Sequence, residues 1–101
     1  MSKKITLFYM ELAPLGVVKT ISKSELDRYV MNATKMIDVA CVAENETMYE
    51  HWSRWALWYF DVILYSFYPV DRPQMYHALD TALIDKNINE AHRLVSSCLQ
   101  I

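Results

Sequence analysis

A mainly α fold, opened by a short β-hairpin and continued by about four helices in one domain over residues 1–101, is what this sequence predicts. Apolar residues recur at three- and four-residue steps along four stretches, the signature of helices with one buried face. A Ser, Thr, Asn or Asp stands before each stretch, usually with Glu or Gln three residues later, as at a helix N-terminus. The chain has one glycine and 53% hydrophobic residues, which leaves little scope for disordered linkers.

The hairpin is expected over about residues 4–21. Ile5 to Glu11 and Gly16 to Ile21 are rich in β-branched and aromatic residues, and Ala13-Pro14-Leu15-Gly16 between them has turn chemistry. Two strands alone are marginal in water, so the hairpin must lie against the helices or pair with a partner's sheet edge.

The first helix is expected over about residues 23–44, with Ser22 and Glu25 at capping-box spacing and Ser24 as a rival cap. Leu26, Tyr29, Val30, Ala33, Ile37 and Ala40 mark its buried face, and Met31 and Met36 read as core filler. Asn45 or Thr47 caps the second helix, expected over 47–67. That helix holds the run YEHWSRWALWYFDVILYSFYP, with nine of the thirteen aromatic residues and all three tryptophans. Asp61 is the lone charge between Trp55 and Tyr68; if buried it needs a partner, and Arg54, His51 and Tyr65 are within reach.

Pro69 must stop this helix, because a residue before proline is pushed out of the helical region. Tyr68-Pro69-Val70-Asp71-Arg72-Pro73 then forms a stiff connection, with Asp71 as cap and Pro73 in the first turn of a third helix over 72–85. Lys86-Asn87 is a turn, Asn87 caps a fourth helix over 88–99, and the last two helices form an αα-hairpin.

Composition narrows the function classes. Ten basic and twelve acidic residues are scattered, with no basic stripe to follow a phosphate backbone, so sequence-specific nucleic acid binding is not expected. The aromatic run is shorter than the roughly 20 apolar residues of a membrane span. The start MSKKITLFYMEL makes a poor export signal, which points to the cytoplasm and to Cys41 and Cys98 as reduced, buried packing residues. No cofactor or metal is expected, since His51, His77, His92 and the cysteines lack ligand spacing. No nucleophile elbow or phosphate-cradling loop is present, so the chain is not expected to be an enzyme.

What remains is surface for a partner. The apolar content is high for so small a domain, which places some of it at an interface. The candidates are Trp52 and Trp55 on the aromatic helix and Tyr68, Pro69, Val70 and Pro73 in the connection. Tyr68-Pro69 is a tertiary amide between two helices, a form that proline-recognising grooves and prolyl isomerases engage. A self-associating helical protein or another small adaptor is the alternative, and the oligomeric state stays open.

The opening MSKKITLFYMEL, the tryptophan-rich central helix and the Tyr68-Pro69 loop together resemble the anti-RecBCD protein 2 family of P22-type lambdoid phages. The resemblance covers the whole chain in length and character. It implies a non-enzymatic phage protein that binds the host RecBCD helicase–nuclease through its RecC subunit, so that linear phage DNA survives and recombines. It also implies recruitment of a host peptidyl-prolyl isomerase at Pro69, with Pro73 as the rival proline.

Overall fold

The computed structural model describes residues 19–100. They form α1 (Lys23–Cys41), α2 (Glu46–Phe67), α3 (Arg72–Ile84) and α4 (Ile88–Ser97), closed by a 3-10 turn at Cys98–Gln100. The hairpin expected over 4–21 falls outside the described residues except for 19–21, which belong to neither helix nor strand.

Side-chain hydrogen bonds fix the starts of three of the four helices. The Ser22 amide donates to the Glu25 carboxylate at 3.2 Å. Asn45 accepts from the Met48 amide at 2.9 Å, so α2 starts at Glu46, and Thr47 is not its cap. Asn87 accepts from the Glu90 amide at 3.3 Å. Asp71 stands at the cap position of α3 without a side-chain cap bond.

The helix ends have local causes too. Helix α1 stops at Cys41, short of the expected 44, with the Ala43 amide turning back onto the Ala40 carbonyl at 3.0 Å. Tyr68, ahead of Pro69, leaves the helical region at φ −133° and ψ 52°, as a pre-proline residue must. At the end of α3 the Asn87 amide reaches the Ala82 carbonyl and the Lys86 amide the Leu83 carbonyl, the paired bonds of a Schellman cap. Lys86 therefore sits at φ 57°, where glycine would be easier. Its ammonium pairs with Glu46 and lies 5.0 Å from the Tyr49 ring, so the strained position ties the α3–α4 turn to the start of α2.

Packing runs as a closed circuit. Helix α1 lies along α2, α2 meets α3, α3 folds back on α4 as the expected αα-hairpin, and α4 returns to α1. Phe60, Ile63 and Leu64 of α2 sit at the centre with Ile37, Leu79, Leu83, Val95 and Cys98, all essentially sealed from solvent. Ala33, Ala56 and Ala91 are also fully buried, and such small side chains let helix backbones approach closely. The Tyr49 hydroxyl donates to the Leu83 carbonyl, and His92 Nε2 lies 2.9 Å from Asp38, so polar links reinforce the α2–α3 and α4–α1 contacts.

Two expectations fail on α1. Met31 is 62% exposed and fills no core, while Met36 is half-buried against it. Cys41 is exposed, whereas Cys98 is buried and its thiol is pushed up to about 11 by burial. Because the thiolate is the reactive form, a disulfide reagent at neutral pH is expected to modify one thiol per native chain and the second only after denaturation. Peptide mapping should find the fast label on Cys41; rapid modification of Cys98 in the folded chain would contradict this core.

Candidate partner-docking site

The connection between α2 and α3 carries Val70, the most exposed large hydrophobic side chain among the described residues. Val70 is 88% exposed, and Pro69 and Pro73 are also exposed. Tyr68 is half-buried and packs against the core, so its body anchors the corner. Burial raises the pKa of its phenol, which stays neutral at physiological pH. No peptide bond among the described residues is cis, so Tyr68–Pro69 is trans.

The corner is braced from behind. Arg72 Nε donates to Asp61 Oδ1 at 2.7 Å, and its Nη2 donates to Oδ2 at 3.0 Å. This two-pronged pair crosses from the first residue of α3 to the last third of α2. The Arg72 guanidinium also lies 5.1 Å from the Tyr65 ring centre. The partner of Asp61 is thus Arg72, not Arg54, His51 or Tyr65. Arg72 is the first cation past Pro69, and the helix–corner–helix path brings it back over Asp61.

The pair is half-buried, with side-chain exposures of 34% for Arg72 and 17% for Asp61. Two-pronged guanidinium–carboxylate contacts exceed ordinary surface pairs, which contribute roughly 0–1 kcal/mol. A double-mutant cycle with Arg72→Met and Asp61→Asn should give a coupling of about 1 kcal/mol in urea denaturation. Additive single-mutant effects would mean that the prolines alone hold the corner.

Trp52 and Trp55 stand elsewhere. Trp55 is separated from Tyr68 by almost four helical turns, roughly 20 Å along α2 at about 1.5 Å per residue, and Trp52 is further still. The structure therefore brings Tyr68, Pro69, Val70 and Pro73 together and leaves the two tryptophans at the other end of the helix. There the rings form a cluster. Trp55 meets Trp58 edge-on at 6.0 Å, Trp58 meets Tyr59 at 5.2 Å, and Tyr59 meets Tyr29 of α1 at 5.6 Å. His51 lies 5.1 Å from Trp52, edge to face. All three tryptophans are half-buried, neither sealed in the core nor fully bare. Burial first, and Arg54 second, holds the His51 imidazole below its ordinary pKa.

The remaining surface offers shallow grooves. One of about 430 Å³ lies between the end of α1, the start of α2 and Lys86, with Cys41 and Tyr49 in its wall. Another, of about 310 Å³, runs between α2 and α3 over Leu57, Leu83 and Ile84. Among the described residues no three His, Cys, Asp or Glu side chains converge as metal ligands would, and no helix is long and apolar enough to cross a membrane.

The chain matches no protein-family model, and comparison with curated proteins and with solved structures likewise gives no match.

Proposed function

We propose that this chain is a non-catalytic phage protein that works by docking on a larger host protein, with the Tyr68–Val70 corner as its principal contact. The observation that carries the reading is Val70, a β-branched apolar side chain held 88% exposed beside Pro69. That side chain stands in water on a corner stiffened by Pro69 and the Asp61–Arg72 pair, which makes it a fixed apolar contact point for a partner. Rigid presentation lowers the entropy lost on binding, which is how a small apolar contact becomes specific.

The target is proposed from the resemblance of the chain to the anti-RecBCD family: the RecBCD helicase–nuclease, bound through RecC. Pro69 is the residue that engages a host peptidyl-prolyl isomerase, with Tyr68, Val70 and Pro73 framing it. Trp52 and Trp55 belong to the same interface only if the partner reaches about 20 Å along α2. The chain acts in the bacterial cytoplasm, where RecBCD works, and needs no cofactor.

The test is reconstitution. Tagged chain is mixed with purified RecBCD, and retention on the tag is measured alongside degradation of linear duplex DNA. Retention through RecC with altered degradation is expected; unchanged degradation and no retention would overturn the choice of target.

A further inference from the structure

The groove between α2 and α3 lies apart from the Tyr68–Val70 corner. Asp80 in its wall stands about 12 Å along α3 from Arg72. The groove's volume of about 310 Å³ is at the lower end of the roughly 300–1,000 Å³ of ligand pockets, so it suits one long side chain better than a cofactor.

Its floor is apolar. Leu57 and Leu83 are buried along it, and Ile84 at the edge is 69% exposed. Ser53 also lines it, is only 6% exposed, and has no hydrogen-bond partner for its Oγ among the described residues. Burial raises the pKa of the nearby Tyr49 phenol, and the Ser53 hydroxyl opposes that rise. The Tyr49 hydrogen is nevertheless committed to the Leu83 carbonyl, and the two hydroxyls are not placed to bond each other. A buried hydroxyl in this state keeps an unmet desolvation cost, which an incoming polar group can offset.

The rim is charged. The carboxylates of Glu46, Glu50 and Asp80 and the guanidinium of Arg54 line the groove. Glu46 is engaged by Lys86, whereas Glu50, Asp80 and Arg54 form no ion pair among the described residues. Two free negative charges thus stand against one positive charge. The imbalance is felt at Tyr76, where burial first, and then Asp61 and Asp80, raise the pKa of the phenol against the opposing Arg54. Such a rim favours a cation and repels an anion. A long basic side chain matches both parts, since its methylenes lie on apolar surface while its head stays at the charged edge. Arginine fits better than lysine, because its weakly hydrated planar fork can meet a carboxylate and still offer an N–H to a hydroxyl.

We propose that this groove receives an arginine side chain from a partner protein. The methylenes lie on Leu57, Leu83 and Ile84, the guanidinium sits against Glu50 and Asp80, and the Ser53 hydroxyl accepts one N–H. The contact does not depend on the docking proposed for the Tyr68–Val70 corner: either can fail while the other holds.

The peptide acetyl-Leu-Arg-Leu-amide is the probe, titrated into full-length isotope-labelled chain and followed by amide chemical shifts. Shifts are expected on Glu50–Leu57 and Asp80–Ile84, with the amides of Tyr68, Val70 and Asp71 unmoved. Norleucine or glutamate in place of the peptide's arginine should weaken binding by about tenfold or more. The double variant Glu50→Gln, Asp80→Asn changes two carboxylates outside the core, so its urea midpoint should stay near that of the parent. Its affinity for the arginine peptide should fall about tenfold, since exposed charge pairs contribute about two- to fivefold each. Equal binding of the norleucine peptide would overturn the proposal, as would an affinity unchanged in the double variant. Shifts confined to the corner, or absent from the groove, would overturn the site itself.

Discussion

Phe60→Ala is expected to leave the protein on the edge of unfolding at room temperature. Phe60 is fully buried at the centre of α2, beside Ile63 and Leu64 and within the cluster that α1, α3 and α4 all join. Removing a buried phenyl ring forfeits its transfer free energy and leaves a cavity that rigid helices close only in part, for about 3–5 kcal/mol. Small domains hold only about 5–15 kcal/mol in total. At roughly 4–8 °C per kcal/mol for a domain near this size, the melting temperature should fall by about 15–30 °C. Thermal and urea denaturation followed by circular dichroism would measure it. Trp55→Ala is the control on the same helix: its ring is half-buried, so it should cost less than Phe60→Ala. A smaller loss at Phe60 than at Trp55 would mean that the core lies on the wrong face of α2.

How far the fold was legible follows from where its causes lie. The four helices could be read because their apolar spacing and caps are local, and each boundary set by a cap or proline fell within a residue of expectation. The end of α1 was misplaced because no proline or glycine stops it, and Val42-Ala43-Glu44 carries ordinary helix-forming residues. Its exposure pattern was misjudged for a related reason. At α1's C-terminal end Cys41 turns outward, and periodicity alone does not say how wide the covered stripe is. Asp61 shows the other limit. A lone carboxylate in an apolar helix announces that it needs a partner, but eleven residues and a corner separate it from Arg72. Only the path of the backbone reveals that contact. The docking candidates divide in the same way: four are neighbours in sequence and hence in space, while the tryptophans were joined to them by chemical character alone.

The other large effect should fall on partner capture, with stability almost untouched. Pro69→Ala removes the ring from the corner and releases Tyr68 from the pre-proline restriction. Because Pro69 is exposed and lies between helices, the change should cost no more than about 1 kcal/mol of stability. If the proline is the isomerase contact, capture should weaken by more than tenfold, since a tenfold loss is about 1.4 kcal/mol and central contacts commonly exceed about 2 kcal/mol. Alanine at 69 could also let α2 run on and move the corner, so Val70→Glu serves as the companion change. It keeps both prolines and the Asp61–Arg72 brace but puts a charge where the most exposed apolar side chain stood. Direct contact requires both substitutions to weaken capture while the urea midpoint stays near that of the parent. Loss with Pro69→Ala alone would make proline the shaper of the corner and leave Val70 outside the interface. Equal capture by both variants would reduce Pro69 to a helix stop and move the docking surface elsewhere on the fold.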